Sequence, residues 1–410
     1  MGTLKFIIIS RGNPFTALAG TEILARSMSF ELAKQGHEVD LVYGDEESLV
    51  EPSPIKSVQV VLHGLQITSI PYLSALVFRR KCSKRCIQLV NDFNFDAVIA
   101  LGAGTFPGYI FHKIKKSKKR LPLLVYYAMD SMVMEYARSK MSKENAGLGV
   151  SFKKWVYYTA LIKSDKASCS QSDLILASSK DTINHLTANY DVPLAKINLL
   201  YEGIPDNFAV GYAASDPEIP TFLHVAGGAR KGTDFLLSAM KILTDKYGVK
   251  AKVVITRGSA VHVQQAKSLG VDAEVYEYVP HEELKRLYAS CTALVVPSMS
   301  EGFCLPVIEA AMFGKPSIAF GSGSLPELIN DNLSGFVVAV GDVNTLSLRM
   351  YQMCTDDDLR MSIGNEAKRY SRNFTISRCA KSLVETLQES LGDTNGGSNA
   401  SESSSSNQVG

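Results

Sequence analysis

The sequence predicts an α/β protein made of two doubly wound parallel-sheet domains that face each other across a cleft. Three observations carry this. Short apolar, β-branched runs alternate with helix-period segments through the first half. The alternation stops at a stretch rich in Gly, Pro, Ala and Asp, Tyr201–Pro220, and then restarts. The charge changes sign between the halves. Residues 1–200 hold 25 Lys+Arg against 17 Asp+Glu, and residues 201–410 hold 18 against 24, so a net +2 hides +8 and −6. Opposite charge on two halves predicts two domains with different partners.

In the first half, LKFIIIS reads as a strand and GTEILARSMSFELAKQG as an amphipathic helix with a glycine stop. HEVDLVYG and QVVLHGLQI are the next strands. SALVFRRKCSKRCIQLVNDF is a basic amphipathic helix, and FDAVIALGA, LPLLVYYAM and SDLILASS are further strands. In the second half, strand TFLHVAG precedes a helix over 233–246; KAKVVIT and EVYEYV are strands, and HEELKRLYASC is a helix. GDVNTLSLRMYQMC, IGNEAKRYSRN and SRCAKSLVETLQESL are the last helices. Strands regularly separated by helices specify a parallel sheet. This places a first domain at 1–203, a linker at 204–220 and a second domain at 221–372. A C-terminal helix follows at 373–391 and returns toward the first domain. The low-complexity tail 392–410 is expected to be disordered.

Composition excludes several classes. An apolar content of 46% and charged content of 20% suit a soluble globular protein, and no run of 18 apolar residues is present to span a membrane. LKFIIIS is too short for a signal peptide, and Phe6 stands where a myristoylation signal needs Ser or Thr. The seven scattered cysteines read as reduced thiols, since Cys82 and Cys86 have no second pair with zinc-site spacing. A cytoplasmic protein with no nucleic-acid partner is expected.

The most informative stretch is SEGFCLPVIEAAMFGKPSIAF, residues 300–320. The preceding CTALVVPS reads as a buried strand. Pro306 suits the first helical position, Gly314 and Pro316 stop the helix, and PSIAF is the next strand. Glu301 then lies beyond a strand's carboxyl end, and Glu309 lies one turn inside a helix whose amino end faces the same crevice. That crevice is where ligands bind in open α/β sheets, and a helix amino end attracts anions. A carboxylate there repels phosphate unless it holds something else, and a vicinal diol of a sugar qualifies.

These residues resemble the donor-site signature of the retaining glycosyltransferases of family four, which have the GT-B fold of two Rossmann-like domains. The hallmark is Glu, seven residues, Glu, here Glu301 and Glu309. GTEILARSMSFELAKQGHEVDLV, SDLILASSKDTINHL, INLLYEGIP, FLHVAGGARKGTDFLLSAMKIL, YVPHEELKRLYASCTALVVPS and GSLPELINDNLSGFVV agree in order, from Leu4 to about Leu391. The resemblance implies transfer of a sugar from a nucleoside-diphosphate sugar to a hydroxyl acceptor with retention of configuration, a donor phosphate oxygen taking the acceptor's proton. It implies that Glu309 holds ribose hydroxyls and that Glu301 contacts the transferred sugar. Phe303, Cys304 and Leu305 would offer backbone N–H groups, Val279 would line the donor site, and Gly20 would let the first-domain loop approach the phosphates. Arg230 and Lys231 would neutralise the leaving diphosphate, so no metal and no cofactor are expected.

Plainer alternatives stand beside these. Arg230 and Lys231 could mark an exposed loop entering a capped helix, with Asp234 as the cap, and Glu309 could complement a helix dipole. GAGTFPG (102–108) lacks dinucleotide-fingerprint spacing and reads as a turn; TDDDL reads as a helix start. GGARKG is shorter than the family's phosphate stretch. Many members carry a histidine after a middle strand of the first domain, where VYYAMDSM offers Met129 and Asp130, so Asp130 is a candidate for holding the acceptor or the sugar. A non-catalytic nucleotide-sugar-binding protein, or a nucleotide-sugar epimerase, are alternatives on the same fold. FRRKCSKRC, HKIKKSKKR and FKKWVYYTALIK interleave cations with aromatic and aliphatic residues. They predict contact with an anionic membrane surface and a lipid-linked or glycan acceptor.

Overall fold

A computed structural model describes residues 2–15, 20–45, 60–66, 73–117, 121–133, 136, 148–227 and 229–396. Two parallel sheets organise them. The first has seven strands in the order β3-β2-β1-β4-β5-β6-β7: β1 (Lys5–Ser10), β2 (Glu38–Asp45), β3 (Val60–Gln66), β4 (Ala97–Leu101), β5 (Leu123–Ala128), β6 (Leu174–Ala177) and β7 (Ile197–Leu199). The second has six in the order β10-β9-β8-β11-β12-β13: β8 (Thr221–Val225), β9 (Lys252–Thr256), β10 (Ala273–Tyr276), β11 (Ala293–Val296), β12 (Ser317–Phe320) and β13 (Gly335–Val338). Every strand pairing in both sheets is parallel. The two orders have one pattern. Each sheet is built outward from its first strand, and the order reverses between β1 and β4 and between β8 and β11. Those two reversals open the crevices into which loops and ligands fit.

Strands β1, β4 and β5 are buried on both faces, which is why they read as continuous apolar runs and not as alternating ones. On one face of the first sheet, Ile7, Ile9 and Val98 meet Phe78 and Cys82 of the helix Leu73–Asp92. Phe111 of the helix Pro107–Lys115 and Cys169 of the helix Leu148–Gln171 join the same core. On the other face, Phe6, Ile8 and Leu41 meet Leu24 and Met28 of the helix Gly20–Lys34. The final helix, Ile376–Gly396, adds Ala380, Leu383 and Leu387 to that core, so the chain's end completes its beginning.

The chain therefore crosses between the two sheets twice, and the crossings lie side by side. Ile204 and Thr375 form a parallel bridge, and Ile376 donates its N–H to the Ile204 carbonyl at 2.8 Å. Beyond the first crossing the connection is pinned to the second unit. Asp216 pairs with the buried Lys315 at 3.2 Å and with Arg360 at 3.1 Å.

Three local expectations change. The short helix is Leu305–Met312, so Pro306 is its second residue and not its first; that N–H is also unpaired in a helix, and proline costs nothing there. Asp234 does not cap the helix Thr233–Tyr247. Gly232 occupies the cap with left-handed backbone (φ 74°), and Asp234 sits in the first turn. The final helix runs to Gly396, past the predicted start of the tail at 392, and residues 397–410 lie outside the described residues.

Candidate active site at the second reversal

The loops after β8 and β11 meet at the reversal of the second sheet. After β8 the chain makes a single 3-10 turn, Ala229–Lys231, and enters the helix Thr233–Tyr247. After β11 it runs through Pro297–Cys304 into the helix Leu305–Met312. The two loops are interlocked. Met299 donates its N–H to the Arg230 carbonyl at 2.9 Å, and Arg230 Nη1 donates to the Ser300 carbonyl at 3.0 Å. A Cβ on Gly232 would lie 1.9 Å from the Pro297 carbonyl oxygen, so this close approach and the positive φ both demand glycine.

Glu301 is the centre of the cluster. It is 2% exposed, and its carboxylate accepts from Lys231 Nζ at 2.7 Å and from Arg230 Nη1 at 3.1 Å. Burial alone would raise its pKa. The charges of Lys231 and then Arg230 outweigh that and hold the carboxyl below its ordinary range. The two cations expected at the phosphates and the carboxylate expected at the sugar thus form one ion cluster.

Beneath the cluster lies His224 of β8, a residue hidden from sequence reasoning because TFLHVAG looks only like a strand. Its Nδ1 lies 3.0 Å from the Val295 carbonyl and its Nε2 lies 3.0 Å from Thr233 Oγ1. A carbonyl only accepts, so Nδ1 carries the proton and Nε2 accepts from the threonine hydroxyl. Burial pushes its pKa down to about 4, which keeps the ring neutral below Lys231. It ties β8, β11 and the first turn of the helix together under the basic turn.

Glu309 is half-buried one turn along the helix Leu305–Met312, on the side of the helix His281–Ser290. Tyr288 Oη donates to it at 2.7 Å. Burial raises the Glu309 pKa, opposed by Tyr288 and by the charge of Arg257. Arg257 stands at the carboxyl end of β9 with positive φ (55°), an uncommon conformation for a side chain of that size. Neither Tyr288 nor Arg257 carries a sequence signal.

The other predicted residues fall around this centre. Cys304 is the cap of the helix and is buried, with its thiol pushed up to about 12 by burial, which leaves it no reactivity as a nucleophile. Phe303 packs against Tyr201 and Phe374 at ring distances of 6.1 Å each. Val279 is half-buried in the connection between β10 and the helix His281–Ser290.

From the first sheet, Gly20 opens the helix Gly20–Lys34, and a Cβ there would touch Leu305 Cδ1 at 3.5 Å, ordinary van der Waals contact. Met129 and Asp130 follow β5, and a Cβ on Gly302 would lie 2.3 Å from the Met129 carbonyl oxygen and 3.2 Å from Asp130 Cβ and Cγ. Asp130 therefore abuts the residue next to Glu301. Asp130 Oδ1 accepts the N–H of Ser131 at 2.7 Å. Among the described residues no group of three or more His, Cys, Asp or Glu comes together as a metal site would require.

Known proteins match this chain over both halves. The family described as Glycosyltransferase Family 4 matches residues 18–208, and the family described as Glycosyl transferases group 1 matches residues 213–370. An uncharacterized glycosyltransferase of Methanocaldococcus jannaschii is 25% identical over 55% of this chain and 62% of its own length. The D-inositol 3-phosphate glycosyltransferase of Corynebacterium kroppenstedtii is 30% identical over 31% of this chain and 28% of its own. The O-antigen chain mannosyltransferase B of Escherichia coli is 34% identical over 27% of this chain and 29% of its own. The matches thus span less than two thirds of these curated relatives. In three dimensions, sucrose-phosphate synthase from Thermosynechococcus elongatus superposes with a TM-score of 0.77, covering 95% of this chain and all of that one at 18% identity. Anabaena Alr3699/HepE in complex with UDP and glucose superposes with a TM-score of 0.69 over 94% of this chain and all of that one, at 15% identity. With two sheets of one topology, a charged cluster at the second reversal and family matches over both halves, the chain belongs to the family 4 glycosyltransferases and has the GT-B fold.

Proposed function

We propose that this protein transfers a hexose-type sugar from a nucleoside-diphosphate sugar to a hydroxyl acceptor, with retention of anomeric configuration. The single observation that carries the reading is the buried Glu301 paired with Lys231 and Arg230, with Glu309 one helical turn along. Breaking a sugar–phosphate bond moves negative charge onto the diphosphate. Two cations held in place by Glu301 stabilise that charge where it develops. A diphosphate that draws on Lys231 and Arg230 turns the Glu301 oxygens toward the hydroxyls of the transferred sugar. Glu309, steadied by Tyr288, accepts from the ribose diol. Asp130, against Gly302, stands on the acceptor side. No side chain is assigned as a covalent nucleophile. The acceptor's proton goes to a phosphate oxygen of the departing diphosphate, and the acceptor attacks the face that the diphosphate leaves. The cation role belongs to the protein, so transfer is metal-independent.

The relatives named for D-inositol 3-phosphate and O-antigen chains, and the neighbour holding UDP and glucose, support a nucleotide-sugar donor and a hydroxyl-bearing acceptor here. The basic first unit supports an acceptor at an anionic surface. Arg80, Lys81 and Lys84, then His112, Lys113 and Lys116, then Lys163 and Lys166 are all exposed on or beside three helices that cover one face of the first sheet. Trp155, the chain's one tryptophan, is 50% exposed on the third. Residues 118–120 of the second basic run lie outside the described residues. No helix among the described residues is long and apolar enough to cross a membrane.

The test is to incubate the protein with labelled uridine, guanosine and adenosine diphosphate sugars, with and without acceptors, and with EDTA. Transfer of label with retained configuration, unaffected by EDTA, is expected. Epimerised donor without transfer, or binding without turnover, overturns the reading, and activity lost in EDTA and restored by Mg²⁺ or Mn²⁺ overturns its metal independence. Sedimentation with anionic and neutral vesicles at low and high salt tests the surface. Equal absence from both at low salt removes the membrane.

A further inference from the structure

The segment after β12 makes a contact that the transfer chemistry does not use. Glu327 lies in the single-turn helix Leu325–Leu328 of the second unit. Its carboxylate reaches across to the first unit and accepts the backbone N–H of Lys180 at 2.9 Å through Oε2 and that of Asp181 at 3.1 Å through Oε1. Lys180 and Asp181 are the first two residues of the helix Lys180–Tyr190. The helix's own cap, Ser179, serves only the N–H of Thr182, at 3.0 Å. A helix start leaves several N–H groups without intrahelical partners and carries a partial positive charge, so an ionised carboxylate is a strong ligand for it. The second unit supplies that ligand. Glu327 Oε2 also accepts from Tyr201 Oη at 3.0 Å, beside the crossing, and the Glu327 carbonyl accepts from Tyr370 Oη at 3.0 Å.

The same segment touches the site from both sides. Ser324, three residues before Glu327, donates its N–H to the Glu301 carbonyl at 3.1 Å, and Ser322 Oγ donates to the Ser298 carbonyl at 2.6 Å. Across the cleft, Ser178, two residues before Lys180, donates its hydroxyl to the Met129 carbonyl at 3.0 Å. Met129 and Asp130 in turn lie against Gly302. The contacts close a ring: Glu327, the start of the helix Lys180–Tyr190, Ser178, Met129–Asp130, Gly302–Glu301, Ser324, and back to Glu327.

We propose that Glu327 is the clasp of this ring: a positioning residue that holds the first unit's helix start against the second unit and so fixes the spacing between Asp130 and Glu301. The inference rests on the transfer reading for its kinetic consequence and not for its structural one. Glu327 touches none of the residues assigned to the donor. Its removal opens the cleft and slows turnover without loosening the nucleotide.

Two substitutions test this. Glu327→Ala removes the acceptor. Lys180→Pro removes one donor while suiting the helix, because proline favours a first helical position and Ser179 already has the extended backbone (φ −154°, ψ 163°) that precedes a proline. For each, the distance distribution between spin labels at the exposed Lys84 and Lys267 is measured by pulsed electron resonance, nucleoside-diphosphate affinity by calorimetry, and turnover with the donor found for the wild type. A longer and broader label distance is expected in both variants. Turnover should fall on the order of 10- to 100-fold in Glu327→Ala and less in Lys180→Pro, with nucleotide Kd within about twofold of wild type. Glu327→Gln, which keeps one acceptor oxygen, should fall between. Wild-type distances in both variants overturn the clasp. So does a loss of turnover that tracks a loss of nucleotide affinity. If the wild type transfers no sugar at all, the transfer reading fails while the distance measurement still decides the clasp.

Discussion

The two reversals of strand order, β1/β4 and β8/β11, are the same topological event in one chain, yet they are furnished in opposite ways. At the first, the carboxylate of Glu22 turns back and accepts the N–H of Gly12 at 3.1 Å, and Arg11 stacks over Phe78 and donates to Ser74. Its chemistry is turned inward, into holding its own loops. At the second, a buried carboxylate is set between two cations on a glycine-dependent turn, with a neutral histidine as floor. Topology decides where a crevice opens; a handful of side chains decides what it binds. On the reading proposed above, the first crevice takes the acceptor and the charged second one takes the diphosphate.

The comparison breaks most sharply at Glu301. Glu301→Ala leaves Lys231 without its carboxylate partner and removes the proposed sugar contact, and turnover should drop by about 10² to 10³-fold. Nucleoside-diphosphate affinity measured by calorimetry should change much less; an equal loss in both would make Glu301 a nucleotide ligand. Glu309→Ala should act the other way. Losing the hydrogen bonds to the ribose predicts a nucleotide Kd weakened by roughly 10- to 100-fold. Undisturbed binding would remove the ribose assignment. Gly302→Ala probes the line where the two crevices meet. A methyl 2.3 Å from the Met129 carbonyl must push the units apart, and turnover should fall about tenfold with little loss of thermal stability. Wild-type turnover would show that the spacing is not critical.

A different kind of effect, on stability and not on turnover, concerns pH. The His224 pKa is about 4 in the folded chain against 6.5 for an ordinary histidine, so the unfolded chain binds more protons between those values. Stability from the neutral ring is whole above pH 6.5 and is lost as pH falls toward 4, by about 3 kcal/mol at most. Glu202, buried beside the crossing, has the opposite sign. Burial raises its pKa to about 8, so stability is whole below the ordinary glutamate value of 4.5 and is lost as pH rises through 8. Thermal midpoints across pH for the wild type, His224→Gln and Glu202→Gln check both slopes. His224→Gln should flatten the acid limb alone, and Glu202→Gln the alkaline limb alone.

How much of this was legible in the sequence follows from how local each signal is. The strand–helix alternation and the Glu301–Glu309 spacing are written within short windows, and the parallel sheets and the family assignment grew from them. Arg230 and Lys231 stand out in the sequence, but the pairing of Lys231 with Glu301 does not, because that contact joins residues 70 positions apart. His224 and Val295 are 71 apart, and a histidine in an apolar run looks like a strand residue until the neighbouring strand is placed. Tyr288 sits in a helix of ordinary appearance. The error over Asp234 has the same root. An acidic residue near a helix start resembles a cap, while the cap was decided by how closely Gly232 must approach Pro297, which no window of sequence contains.

The final helix has a consequence for how the protein is made. Its residues Ile376, Cys379, Ala380, Leu383, Val384 and Leu387 are part of the core of the unit formed by the chain's first half. Chains generally fold domain by domain as they leave the ribosome, amino-terminal domain first. Here the order of completion is inverted. The second unit has all of its strands once residue 338 has emerged, whereas the first waits for the last helix to be translated before its core is closed. A nonsense codon shortly before that helix would leave the donor-side unit whole and the older unit with an open apolar face, a substrate for chaperones and proteases at the end of the molecule that was synthesised first.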